Sequence, residues 1–230
     1  MWNGKLKAIT FSFDDGVTQD IRAIEILDKY DLKATFNLNS SLLGLDAKLE
    51  RNNRIIDHNK IAISKVREVY KNHEVASHTL VHPLLTKQND ESVIYQVRED
   101  VKTLSKIFDR EIVGFAYPGG GVNFDERVAK LIKENTSLKY ARTTVSSNNF
   151  DIQEDLFTFK PTIYYIDENL FDVCRDFINL KTDKPQLLYI WGHTYEMDAE
   201  YISWDKFEEL CKMISNKDDI FYGTNAEVLL

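Results

Sequence analysis

The chain is poor in the residues that mark special classes of protein. Four prolines and nine glycines in 230 residues are too few for a low-complexity or collagen-like chain. There are only two cysteines, Cys174 and Cys211, both within helical patterns, and they read as buried free thiols rather than a disulfide framework. No apolar run approaches the ~20 residues needed to cross a bilayer, so no membrane span is expected. Positive charge is also scarce: 29 Lys and Arg against 37 Asp and Glu give a net charge of −8. A protein built to grip phosphate backbones carries the opposite balance, so nucleic acid is excluded as a partner. The amino terminus, MWNGKLKAITFSF, lacks the apolar core and small-residue cleavage site of a secretory signal. On this chain alone a cytoplasmic location is expected, or an extracellular or cell-wall one if the chain is a processed product.

What remains is ordinary globular composition, 43% hydrophobic and 29% charged, enough to bury a real core. The length suits one large domain spanning residues 1–230. Short β-like runs alternate with longer helical ones. Strands are expected at 6–13, 33–38, 73–77, 112–117, 139–144, 160–165 and 186–191, with a short one at 220–222. Ile21, Ile24, Leu27 and Tyr30 recur every three residues and predict a helix, with Thr18 as its cap. Val93, Val97, Val101, Leu104 and Phe108 give the clearest helical stripe. Further helices are expected at 61–71, 125–135, 168–180 and 203–215, followed by a helical tail. The polar stretch 40–59 is left as a long loop or a short helix. Repeated strand–helix alternation implies a parallel sheet with helices outside, and its number favours closure into an α/β barrel.

In such barrels chemistry gathers at the carboxyl ends of the strands. Strand 1 delivers Asp14-Asp15-Gly16, strand 3 delivers His78 and His82, and the strand at 186–191 delivers His193. His78 and His82, four apart, would lie on one face of a helical turn, about 5–6 Å apart at Cβ. Two imidazoles and a carboxylate from another strand suit one metal ion with a position left open for water. Of two adjacent carboxylates, one can bind metal while the other takes a proton, although an Asp-Asp-Gly turn is also an ordinary way to end a strand.

Together these residues resemble the polysaccharide deacetylases, the chitooligosaccharide-deacetylase homology domain or carbohydrate esterase family four. That family opens with Thr-Phe-Asp-Asp-Gly, and this chain has Thr10-Phe11-Ser12-Phe13-Asp14-Asp15-Gly16. Its second motif, His-Ser/Thr-x-x-His, is matched by His78-Thr79-Leu80-Val81-His82, and its last histidine by Ile190-Trp191-Gly192-His193. Thr224-Asn225-Ala226-Glu227 matches a common closing segment. The resemblance implies a distorted (β/α)7, TIM-like barrel and metal-dependent removal of N-acetyl or O-acetyl groups from a sugar or oligosaccharide. It implies Asp15, His78 and His82 as ligands of one divalent ion, zinc first and cobalt or nickel as alternatives. Asp14 would be the general base and His193 the general acid.

Two departures stand out. Where the third motif carries Arg-x-Pro-Tyr/Phe, this chain has Phe115-Ala116-Tyr117-Pro118-Gly119, so Ala116 occupies the arginine position, as in a Phe-Ala-Tyr-Pro branch of the family. The Asp-Trp pair of the fourth motif is not visible between 139 and 160, where Arg142, Asp151 and Asp155 are the available substitutes. Gly119 offers a backbone donor for an oxyanion, or only a flexible turn. Tyr117 joins it as a substrate-binding candidate, and Trp191 and Tyr195 are candidates to stack on a sugar or simply to pack. Glu196 is read as a loop carboxylate near the rim, and His58 and His73 as surface or loop residues. A small-molecule amidase or a non-catalytic carbohydrate-binding relative are the alternatives.

Overall fold

The computed structural model describes residues 2–230. Along the chain come β1 (Lys7–Asp14), β2 (Ala34–Leu38), β3 (Lys48–Arg51), β4 (Arg54–Asp57), β5 (Glu74–Ser77), β6 (Gly114–Ala116), β7 (Tyr140–Arg142), β8 (Ile163–Tyr164), β9 (Gln186–Gly192) and β10 (Ile220–Tyr222). The helices are α1 (Asp20–Lys29), α2 (Val66–Val69), α3 (Asp90–Phe108), α4 (Glu126–Asn135), α5 (Leu170–Asn179), α6 (Tyr195–Asp198), α7 (Trp204–Ile214) and α8 (Asn225–Leu229). Parallel pairing in the order β7-β6-β5-β2-β1-β9-β8 makes a curled seven-stranded sheet, with β10 filling the lower half of β1's edge. The strand–helix rhythm predicts such a parallel α/β barrel, and the distorted (β/α)7 form is the one that the family resemblance implies.

The period of two along β1 decides what faces where. Ile9, Phe11 and Phe13 point to the helices and join the main core with Leu27 and Phe207. Each such buried side chain contributes roughly 1.5–3 kcal/mol. The alternate residues Thr10, Ser12 and Asp14 point into the barrel, where Thr10 bonds Asn225 (2.8 Å) and Asn37 donates to Ser12 (2.9 Å). The base of the barrel is closed by Trp2, whose indole N–H donates to the Val228 carbonyl of α8 (3.1 Å). Helix α8 is itself started by a capping box between Thr224 and Glu227.

The closing edge is irregular. β7 and β8 do not pair; residues 156–162 bridge them, with Thr143 N–H bonded to Phe159 O (2.8 Å) and Thr162 N–H to Tyr189 O (2.8 Å). The strands expected at 139–144 and 160–165 are correspondingly shorter. The residues expected as a helix at 61–71 are helical only over α2, although Val66 and Tyr70 are buried as a helical face requires. Segment 40–59 begins with a short 3-10 helix at Ser40–Leu42, one of the two expectations for it, and then forms the antiparallel hairpin β3–β4, which is not expected from the sequence. Ile21 is exposed, because steps of three residues drift around a 3.6-residue helix; the buried face of α1 is Asp20, Ala23, Ile24 and Leu27. Thr18 does not cap α1. That position belongs to Gln19, whose amide instead ties Asp57 O (2.7 Å) to Asp198 (2.9 Å). Helix α3 matches its predicted stripe and is capped by Asn89, which accepts from Ser92 N–H (2.9 Å). Cys174 and Cys211 are buried free thiols, and no helix among the described residues is long and apolar enough to cross a membrane.

Gly192 ends β9 one residue before His193. A Cβ there would overlap the ring of Tyr165, whose hydroxyl holds the His193 carbonyl (2.5 Å). Gly192→Ala is therefore expected to destabilise the fold by about 1–3 kcal/mol, read as a lower urea midpoint with unchanged slope. An unchanged midpoint would show that this close approach is not structural.

Candidate active site

The carboxyl ends of the seven strands β1, β2, β5, β6, β7, β8 and β9 surround a cavity of about 590 Å³, open to solvent. At its floor Asp14 ends β1, and the chain then turns through two residues of positive φ, Asp15 (84°) and Gly16 (63°). The turn lets two consecutive carboxylates share one site instead of pointing to opposite faces. Both are buried, and both titrate below the ordinary carboxylate range. For Asp14, burial pushes the value up, and the Arg142 guanidinium outweighs it, helped by His78 and His193. Arg142 is wholly buried, ion-paired to Asp14 Oδ1 and laid over the Trp191 ring at 4.7 Å. Asn37 Nδ2 donates to the same oxygen (2.8 Å). Thus Asp14 is paired by an arginine from the end of β7, while position 116 is a buried alanine.

Asp15 is encircled differently. His58 Nε2 lies 3.3 Å from Oδ2, Lys60 Nζ 3.6 Å from Oδ1 and His82 Nε2 3.7 Å from Oδ1. Lys60 also donates to the Asp15 carbonyl (2.8 Å). His58 is therefore not a bystander. It is carried into the mouth by the strand-to-turn exit of β4.

His78 and His82 do meet, with ring centroids 4.9 Å apart, but not on a helical turn. They sit on a loop after β5 in which Thr79 (φ 70°) and His82 (φ 60°) are left-handed. Such non-glycine conformations are costly and persist only where surroundings over-determine them. Here Asn39 donates to the carbonyls of His78 (2.5 Å) and Thr79 (3.0 Å), and Thr79 Oγ1 accepts from His82 N–H (3.0 Å). Beneath them Asp100 of α3 accepts from Ser77 Oγ (2.6 Å) and Ser40 N–H (2.7 Å), with burial raising its pKa to about 6.

The Asp15–His78–His82 group fits a divalent cation. One ligand atom from each lies within 4.8 Å of the others. His78 Nδ1 donates to Ala116 O (2.8 Å), which leaves Nε2 as an acceptor, buried and without a partner among the described residues. Burial lowers the His78 pKa to about 4, so the ring is neutral, the form that ligates metal.

His193 faces Asp14 across the floor, Nε2 to Oδ2 3.9 Å. Its other face is held by Glu196, only 5% exposed: Oε1 lies 3.3 Å from Nδ1 and Oε2 accepts the His193 backbone N–H (3.1 Å). Tyr164 donates to Glu196 and stacks on Trp191, centroids 4.3 Å apart. Burial opposes the imidazolium, but Glu196 and then Asp14 and Asp15 outweigh it and raise the His193 pKa to about 9. Glu196 is the functional residue that the sequence conceals most completely. Three residues after His193, it folds back in the single turn of α6 rather than facing solvent.

Trp191, Tyr195, Gly119 and Gly120 line the cavity, and the Tyr195 ring is 5.0 Å from both His58 and His193. Tyr117 does not line it. Counting by two from Phe115 puts it on the helix side, packed on Phe124 with its hydroxyl given to Phe157 O (2.8 Å). Asp151 and Asp155 are also elsewhere, bound to Lys184 and Thr158. His73 is not a surface residue: at 2% exposure it accepts the Ala34 N–H (3.2 Å) beneath the β2–β5 edge.

The fold and site are thus a curled β/α barrel with Asp14 and His193 facing each other beside an Asp-His-His donor set. Residues 3–139 match the family model for polysaccharide deacetylase, and the chain belongs to that family. Over 106 residues it is 29% identical to the peptidoglycan-N-acetylglucosamine deacetylase PgdA of Listeria monocytogenes, a match covering 45% of this chain and only 19% of that relative. The chain thus aligns with about a fifth of the length of this curated relative. Among solved structures it is similar to wild-type BA3943, a CE4 family pseudoenzyme from Bacillus anthracis, at 17% identity and a TM-score of 0.55, covering 97% of this chain and 66% of that one. It is likewise similar to the peptidoglycan deacetylase PdaC from Bacillus subtilis, at 18% identity and a TM-score of 0.54, covering 98% and 90%. At these identities the structural likeness concerns the fold.

Glu196→Gln removes the charge that favours the imidazolium. The His193 pKa, followed by NMR, is expected to fall below its value of about 9, since Asp14 and Asp15 alone oppose burial while Tyr164 and Tyr195 stay neutral. Because the folded value is raised, the pairing stabilises the fold fully below the ordinary histidine pKa and is lost as pH climbs through about 9. An unshifted titration in the variant would remove Glu196 from this role.

Proposed function

We propose that the chain, as one catalytic unit over residues 1–230, is a metal-dependent deacetylase that removes acetyl groups, N-acetyl foremost, from a carbohydrate. The observation that supports this most is the pairing of Asp14, kept ionised, with His193, kept protonated, on one cavity floor beside the neutral, partnerless Nε2 of His78.

Asp15, His78 and His82 would hold the ion, with zinc first and cobalt or nickel also compatible with two imidazoles and a carboxylate. A divalent ion there supplies Lewis-acid polarisation of an acetyl carbonyl and makes water easier to deprotonate. The protein's own groups do the rest. Asp14 accepts the proton of the attacking water; its second oxygen is free for this because Arg142 and Asn37 engage the first. Glu196 occupies the Nδ1 side of His193, so Nε2 carries the proton aimed at the departing amine. The Gly119 backbone N–H serves as an oxyanion donor at the rim. Trp191, buried with its ring against Tyr164 and Arg142, packs at the back of the cavity rather than stacking on a sugar, which leaves Tyr195 as the aromatic side chain of the lining that can meet one.

Acetate release from N-acetylated and O-acetylated oligosaccharides, with zinc or with chelator, tests this reading. Asp14→Asn is expected to keep its metal and lose about 10²–10⁴-fold in turnover. His78→Ala is expected to lose metal and turnover together. Undiminished release by Asp14→Asn, or by chelated wild-type protein, would contradict it.

A further inference from the structure

The hairpin β3–β4 forms one wall of the cavity, and its register sorts its side chains. Residues directly opposite in an antiparallel pair share a face. Leu49 faces Ile56, and Arg51 faces Arg54. This face turns inward: Leu49 and Ile56 pack with Tyr195 and Val17, Arg54 pairs with Glu200, and Asn52 at the tip donates to Ala199 O (2.9 Å). On the outward face Lys48 pairs with Asp57 (2.8 Å).

Arg51 is left over. It lines the cavity, its one hydrogen bond among the described residues goes to the neighbouring Glu50 carbonyl (2.9 Å), and it has no acidic partner there. The other charges of the lining are committed: Asp15 to His58 and Lys60, Asp14 to Arg142, Glu196 to His193. The Arg51 charge is felt at Tyr195, where burial raises the phenol and Arg51 partly opposes it, and the Tyr195 ring is 5.0 Å from that of His193. So, among the described residues, the one unspent cation of the mouth lies on the same wall as His193.

We infer that Arg51 selects a substrate bearing an anionic group, a carboxylate or a phosphate, on the acetylated sugar or its immediate neighbour. The deduction rests on the deacetylase reading and sharpens it. A planar guanidinium with most of its donors free matches either oxyanion through two parallel hydrogen bonds. On a chain of net charge −8 an anionic ligand gains little from the general field. The local cation must therefore supply the preference. Leu42, Leu45, Ala47 and Leu49, which line the same cavity, carry no polar side-chain atoms to compete for the anion.

The test compares three matched acetylated oligosaccharides: neutral, uronate-bearing and phosphate-bearing. The quantity read is the ratio of kcat/KM for each charged substrate to that for the neutral one. The expected wild-type ratio exceeds one and declines with added salt. Arg51→Met should lower it about 10-fold or more, through KM, and Arg51→Lys should recover part of it. Whichever anion shows the larger loss identifies the group recognised. A ratio near one, or one that Arg51→Met leaves unchanged, overturns the inference. Calorimetric binding of the same three sugars to Asp14→Asn protein separates the two readings. Arg51-dependent preference in binding without wild-type turnover of any sugar would sink the deacetylase and keep the anion subsite; equal binding of all three would sink the subsite alone.

Discussion

Two adjacent carboxylates are buried side by side at the end of the central strand, and the mouth is organised around the cost of keeping them there. An isolated ionised carboxylate loses several kcal/mol on leaving water. Asp14 is compensated by one buried arginine and an asparagine, Asp15 by a ring of His58, Lys60 and His82. On the deacetylase reading, the difference between these two environments divides the work. Asp14 keeps Arg142 and Asn37 on one oxygen and leaves the other facing His193, while Asp15 is surrounded by nitrogen donors, two of them imidazoles whose own positions are set by loops.

The compensating groups come from separate places in the chain, which makes the site a product of the whole sheet. Arg142 arrives on β7, near the irregular seam of the barrel, and spans to β1 at the centre. His58 and Lys60 follow the hairpin, which Gln19 and Asn52 pin to α6 and its exit. Glu196 closes the circuit locally, holding His193 from its backbone N–H and its ring at once. Trp191 lies between the two halves, stacked on Tyr164 and under Arg142, so its packing couples the Asp14 side of the cavity to the His193 side.

The residues legible from sequence are those that strand ends deliver: Asp14, Asp15, His78, His82 and His193 each follow an apolar run whose period is easy to read. The fold was legible for the same reason, because seven strand–helix alternations leave few topologies. What could not be read depends on long-range or unusual backbone geometry. His78 and His82 have helical spacing, yet left-handed residues at Thr79 and His82 bring them together. Arg142 was one of three charges in a patternless stretch, and only the barrel's curvature singles it out. Glu196 reads as a loop carboxylate, His58 as a surface or loop residue, and Lys60 draws no attention, because nothing local distinguishes a charge that folds inward. Tyr117 misled in the opposite sense: it sits in a family motif but obeys the strand period and faces the core.

The central claim is that Asp15, not Asp14, shares an ion with His78 and His82 while Asp14 stays on Arg142 as the base. Anomalous diffraction from crystals grown with zinc addresses it directly. The expected result is a single strong peak per chain bounded by Asp15, His78 and His82, with the Asp14–Arg142 pair unbroken. A peak that draws Asp14 away from Arg142, or an ion held elsewhere with this donor set empty, would contradict it.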